Sequence, residues 1–280
     1  SHSSKNTNHK STLNFVLKTI LYNYILITIM QEIYVDDIGS GFPLVLVHGY
    51  LGSSEMWKFQ KEYLSKNFRI IAPALPGFGE SFKAQSLNSI NLMANFIIEQ
   101  IDKKKIDKFN LMGHSMGGMI VQEIAKIFGQ RINKLICFAT GPIGDIPGRF
   151  EPINTSIEKL KVEGIKEQVK RIPKNWFVEG DKAKNYYLCE NAVKHISELT
   201  AQNALIAMRD WNGLENLQNI NNKTLIIWGD KDKSYNFEQV SILKNKIPDS
   251  DLKIFENCCH NVHLESPDKF NDVVKDFLTD

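Results

Sequence analysis

The tightest constraint on this chain lies in five residues, Gly113-His114-Ser115-Met116-Gly117. They stand between the apolar run Phe109-Asn110-Leu111-Met112 and the helical stretch Gly118-Met119-Ile120-Val121-Gln122-Glu123-Ile124-Ala125. A serine flanked at two residues' distance by glycines, between a strand and a helix, makes a turn too sharp for side chains on its flanks. Such a turn strains the backbone and lifts the hydroxyl clear of the sheet, where a base and a ligand can both reach it. A free hydroxyl is a weak nucleophile and needs a neighbouring base. Two later segments offer partners in the order acid, then base. They are Ile226-Ile227-Trp228-Gly229-Asp230-Lys231-Asp232 and Cys258-Cys259-His260-Asn261-Val262-His263.

The rest of the chain alternates apolar runs with helical stretches. Ile33-Tyr34-Val35 and Pro43-Leu44-Val45-Leu46-Val47 read as strands around the turn-rich Asp36-Asp37-Ile38-Gly39-Ser40-Gly41. Arg69-Ile70-Ile71-Ala72, Phe109 to Met112, Leu135-Ile136-Cys137-Phe138-Ala139, Leu225-Ile226-Ile227-Trp228 and Leu252-Lys253-Ile254-Phe255 follow. Several are continuously apolar, as strands covered on both faces of a parallel sheet are. Helices are expected around residues 56–64, 89–104, 116–128 and 268–278, which makes the chain α/β with helices on both sides of a sheet. The rhythm breaks between residues 141 and 215. That stretch opens with Gly141-Pro142, Gly144, Pro147 and Gly148 and then turns helical. An insertion there would sit over the carboxyl ends of the strands, where ligands bind in open α/β sheets. The expected organisation is an extension over 1–30, a core of 31–140 and 216–280, and a helical cap over 141–215.

Composition narrows the class of function. Charged residues make up 24% and hydrophobic ones 42%, as in an ordinary globular protein. The formal net charge of +2 is carried by Lys5, Lys10 and Lys18 near the start, so the remainder offers no basic face for nucleic acid. Lys103-Lys104-Lys105 reads as a solvated helix end. The four cysteines do not make a secreted disulfide framework, and they are read as thiols of a reducing, cytoplasmic compartment. No C-x-x-C or H-E-x-x-H occurs, so neither a metal nor a cofactor is expected.

Residues 1–12 are polar, and residues 13–30 are rich in Leu, Ile and Tyr but interrupted by Lys18 and Asn23. A spanning helix needs about 20 predominantly apolar residues, and Thr28-Ile29-Met30-Gln31 lacks the small residues of a cleavage site. Three readings stand: an upstream extension with the natural start at Met30, a membrane-surface segment, or a packing helix.

The elbow, with Asp232, His260 and the run His260-Asn261-Val262-His263-Leu264-Glu265-Ser266-Pro267, resembles α/β-hydrolases of the cap-bearing esterase, enol-lactonase and cofactor-free haloperoxidase type. The resemblance covers residues 31–280, most weakly in the cap. It implies a mostly parallel eight-stranded sheet and a catalytic triad of Ser115, Asp232 and His260. Asp230, two residues from Asp232, competes as the acid, and His263 and Glu265 are taken as structural. The oxyanion hole implied is made by the backbone N–H of Met116 and that of Tyr50, in His48-Gly49-Tyr50-Leu51-Gly52-Ser53-Ser54. His48 is read as a turn stabiliser and Pro76-Gly77-Phe78-Gly79-Glu80-Ser81 as architectural. Two departures from the family pattern stand at the base: Cys259 where glycine is common, and Asn261 where an aromatic is common. Asn261 is expected to open a polar contact near the leaving group.

These residues point to hydrolysis of a small carboxylic ester or lactone through an acyl-enzyme on Ser115. Aromatic residues of the cap, Trp176 and Trp211 foremost, are candidates to line the pocket, with Phe177, Tyr186, Tyr187 and Met208 as further candidates. Carbon–carbon bond hydrolysis of a dienoate is the nearest alternative, since it uses the same triad. From another class, the fold can serve as a ligand-binding protein with little turnover. A haloalkane dehalogenase is disfavoured, because Ser115 stands where that enzyme needs Asp.

Overall fold

The computed structural model describes residues 33–280. The expectations for residues 1–30 lie outside the described residues. Seven strands form one sheet: β1 (Val35–Ile38), β2 (Phe42–Val47), β3 (Phe68–Pro73), β4 (Phe109–His114), β5 (Ile132–Phe138), β6 (Lys223–Gly229) and β7 (Ser250–Phe255). Their order is β1-β3-β2-β4-β5-β6-β7, against the eight strands that the resemblance implies. Every neighbouring pair is parallel except β1 with β3. The chain goes from β2 to β3 on one side and then crosses to β4 on the other. The sheet therefore has its topological switch point between β2 and β4, the place at whose carboxyl ends open α/β sheets bind ligands.

Alternation along each strand loads both faces. Val45, Val47, Leu111, Leu135 and Ile226 pack into one core, and Leu44, Leu46, Met112, Ile136 and Ile227 into another. The first core is closed by helices α2 (Ile90–Lys103) and α3 (Met116–Phe128), the second by α1 (Lys58–Leu64) and the last helix, α10 (Pro267–Thr279). Between β5 and β6 come α4 (Ile153–Glu163), α5 (Ile165–Arg171), α6 (Tyr187–Ala192) and α7 (Glu198–Arg209), with no strand among the described residues. One isolated bridge, Ile143 to Asn212, pins the two ends of this insertion together.

Three local readings are corrected. β1 begins at Val35 rather than Ile33 and runs through Asp36 and Asp37, expected in a turn. Edge-strand carboxylates are tolerated there because Lys61 meets Asp36 at 2.5 Å, while Arg69 and Lys104 meet Asp37 at 2.8 and 2.9 Å. A helix the periodicity did not reveal, α8 (Phe237–Lys246), is started by a reciprocal capping box between Asn236 and Gln239. α9 (Val262–Glu265) is a single turn leading into α10. No helix of the described residues is long and apolar enough to cross a membrane.

Candidate active site

Ser115 sits at the hinge between β4 and α3 with φ 57° and ψ −116°, a left-handed conformation costly for a residue with a Cβ. The packing that enforces it is visible at two glycines. A Cβ at Gly117 would collide with the carbonyl oxygens of Val47 and His48, and one at Gly49 would stand 3.0 Å from the Ser115 Cβ. The end of β2 therefore lies directly against the elbow. The Ser115 N–H donates to Phe138 O at 2.9 Å and Thr140 Oγ1 donates to Ser115 O at 2.9 Å, which fixes the turn from the β5 side.

His260 follows β7 in a buried loop. Its Nδ1 lies 2.9 Å from Asp232 Oδ2, and the other Asp232 oxygen accepts the N–H groups of Ser234 at 2.7 Å and Tyr235 at 3.2 Å. Asp230 points elsewhere, to Lys231 at 2.8 Å. Of the two carboxylates, Asp232 is the one that meets the histidine. No hydrogen bond is made by the His260 Nε2 among the described residues. No hydrogen bond joins Ser115 to His260; its hydroxyl lies within reach of the Tyr235 phenol, whose ring stacks on His260 with centroids 5.8 Å apart and planes at 15°.

The N–H of Met116 opens α3, and that of Tyr50 lies in the turn after β2. Neither is taken up by a backbone partner among the described residues. Both lie beside Ser115 at the switch point. Around them hydrogen bonds sort the remaining histidines. His48 accepts the Leu75 N–H on Nε2 at 3.0 Å, so its Nδ1 carries the proton and donates to Gly49 O at 2.9 Å. Burial holds its pKa down at about 4. It is a neutral brace for the turn. His114 bonds through Nε2 to His260 O at 3.1 Å and supports the base loop from below. His263 packs between the rings of Trp57, His114 and Phe138, and burial keeps it neutral with a pKa of about 3.

Glu265 accepts the N–H of Cys259 at 2.5 Å and that of Val178 at 2.6 Å, which ties the base loop to the insertion. Cys259 fits where glycine is common because its backbone stays out of the left-handed region and its thiol is held at 3.2 Å from Asn175 O and 3.1 Å from Lys231 O. Asn261 is corrected. It is fully buried and turned towards Cys189 Sγ at 3.5 Å, with its N–H on Trp176 O at 3.0 Å, so it joins base loop to insertion rather than facing a leaving group. Trp176 lies against His260, with ring centroids 5.7 Å apart. Trp211 is also corrected. Its indole N–H donates to Glu123 Oε2 at 3.2 Å, about 12 Å along α3 from Ser115, so its ring belongs to the seam between insertion and core. The loop 76–81 is architectural: Ser81 Oγ accepts the Tyr34 N–H at 3.0 Å.

Sequence reasoning missed three residues that the fold brings here. Tyr235 stacks on His260, Gln168 donates to the Tyr50 hydroxyl at 3.2 Å, and Arg149 stands in a segment whose Phe150 N–H donates to Lys233 O, beside Tyr235. The signal for Tyr235 was its place three residues after Asp232. The one sequence signal for Arg149 is that it is a lone cation in the Gly/Pro-rich stretch 141–150.

A family model described as the alpha/beta hydrolase fold matches residues 43–158. A solved esterase from Exiguobacterium antarcticum superposes with a TM-score of 0.78 at 28% identity, covering 89% of this chain and 96% of its own. A 2-hydroxy-6-oxo-6-phenylhexa-2,4-dienoate hydrolase of Burkholderia cepacia is 25% identical over 262 residues, 88% of this chain and 91% of its own length. The dihydrolipoyllysine-residue acetyltransferase component of the acetoin cleaving system of Pseudomonas putida is 26% identical over 241 residues, 85% of this chain but only 64% of that longer protein.

Proposed function

We propose that this chain, whose fold is that of the α/β-hydrolases, is a serine hydrolase cleaving a small carboxylic ester or lactone through an acyl-enzyme on Ser115. The observation that carries this reading is the Asp232–His260 pair at 2.9 Å beside a strained Ser115. Asp232 fixes the His260 tautomer with Nε2 free and stabilises the imidazolium that forms. Rotation about the Cα–Cβ bond brings the Ser115 hydroxyl from Tyr235 to Nε2; such contacts are often loose before substrate binds. Ser115 Oγ then attacks the carbonyl carbon while His260 takes its proton. The negative oxygen is met by the N–H groups of Tyr50 and Met116. His260 returns the proton to the departing alkoxide, and water, activated by His260, releases the acid and restores Ser115. The helical insertion 141–215 acts as a cap, with Trp176 as the apolar wall over the base. The four unpaired thiols suit a reducing compartment such as the cytoplasm.

The dienoate hydrolase relative supports a second reading, cleavage of a carbon–carbon bond with the same residues. A panel of short esters, lactones and dienoates separates the two. Ser115→Ala should leave the fold intact and lower kcat on the best substrate by roughly 10³ to 10⁶. Near-full activity in that variant would remove Ser115 from the mechanism.

A further inference from the structure

Arg149 carries a charge that no carboxylate of the described residues answers. Its Nε and Nη1 atoms are buried without a hydrogen-bond partner. The acidic groups around it are already engaged. Glu151 is held by Arg171, by Lys159 at 2.8 Å and by Ser156 at 2.5 Å; burial alone would raise its pKa, but these partners bring it down to about 2. Glu163 meets Arg171 at 3.4 Å, and Asp232 belongs to His260. Two carboxylates thus face two cations, and Arg149 remains as a single positive charge.

The backbone that carries Arg149 is fixed in place. The Phe150 N–H donates to Lys233 O at 2.9 Å and Gln239 Nε2 donates to Pro147 O at 3.0 Å. Both bonds reach into the segment that follows β6 and carries Asp232 and Tyr235, so Arg149 is held to the acid's own loop. The Tyr235 hydroxyl is fully buried and likewise lacks a partner of good geometry, though Ser115 and Arg149 both lie within its reach. Arg149 is half-buried, and two buried guanidinium nitrogens without partners, close in the fold to a fully buried and unpartnered phenol, call for an explanation. The planar fork of arginine matches a carboxylate.

We propose that Arg149 and the Tyr235 hydroxyl bind a carboxylate of the substrate, so that the enzyme acts on short acidic esters or lactones bearing that carboxylate a few bonds from the scissile carbonyl. One uncompensated charge suits a monoanion rather than a phosphate dianion. This deepens, and rests on, the hydrolase reading above. The test has one arm without turnover. Glutarate binding to wild-type protein, to Arg149→Gln and to Arg149→Lys is measured by titration calorimetry, with thermal melting to confirm folding. Glutarate should bind the wild type, lose at least tenfold in affinity in Arg149→Gln, and fall between in Arg149→Lys. In the second arm, kcat/KM for monomethyl glutarate relative to methyl valerate should fall at least tenfold in Arg149→Gln, chiefly through KM. Tyr235→Phe should weaken glutarate binding several-fold. Absent glutarate binding to the wild type, or equal binding by wild type and Arg149→Gln, overturns the subsite. Glutarate binding that depends on Arg149 in a protein hydrolysing none of these esters would instead leave the subsite standing and sink the ester reading.

Discussion

Four imidazoles crowd this site, and their hydrogen bonds give each a different job. His48 and His114 are spent on backbone carbonyls, His263 is packed among aromatic rings, and only His260 has a carboxylate on one nitrogen and an open face on the other. The same logic separates Asp232 from Asp230. Asp232→Asn keeps the shape but cannot hold the imidazole in the tautomer with Nε2 free, so kcat should fall by about 10⁴ at neutral pH. Asp230→Asn removes a partly exposed pair with Lys231 and leaves the Asp232–His260 contact alone, so it should cost no more than a few-fold. Steady-state kinetics of both variants on one ester decide it, and equal losses would contradict the assignment. That Asp232 would meet His260 beside the elbow was legible because each is anchored to a strand end that the apolar runs mark out. Arg149 was not, because what singles it out is the absence of a counter-ion, and pairing across 233–239 cannot be read from a linear pattern.

At the scale of elements, the buried strands and the long helices were legible because burial on two faces leaves an unmistakable apolar run. α3 occupies Met116–Phe128, as expected, and α2 begins behind Ser89, whose hydroxyl caps the Leu92 N–H at 3.1 Å. β1 was misread by two residues because its acids look like turn residues until Lys61, Arg69 and Lys104 arrive from elsewhere in the chain. α8 escaped notice because its exposed Phe237 and its short length blur the helical stripe, and the Asn236–Gln239 box that starts it is a weak sequence signal alone. Trp211 was misplaced for a related reason. An aromatic in the insertion has no address until the Ile143–Asn212 bridge turns its segment towards α3.

At the scale of the whole molecule, the core is built around histidines that must stay neutral. Burial depresses His48 to about 4, His263 to about 3, and His114 well below its ordinary value, while the unfolded chain titrates near 6.5. The unfolded state therefore binds more protons below pH 6.5, and stability present above that pH is lost as pH falls towards the folded values. His48 and His263 each contribute about 1.5 kcal/mol of loss between pH 6.5 and 5, and His114 acts in the same direction, together a large part of an ordinary domain's margin. Urea unfolding at pH 7 and pH 5 measures this, and unchanged stability over that interval would contradict the neutral assignment. The central claim is that all these constraints serve one activated serine. Its most direct test is the intact mass of the protein after treatment with a fluorophosphonate, which traps a nucleophilic serine as a stable phosphonyl ester. One adduct is predicted, on the peptide carrying Ser115, and none in Ser115→Ala; an unmodified wild-type protein, or an adduct on another residue, would contradict the account.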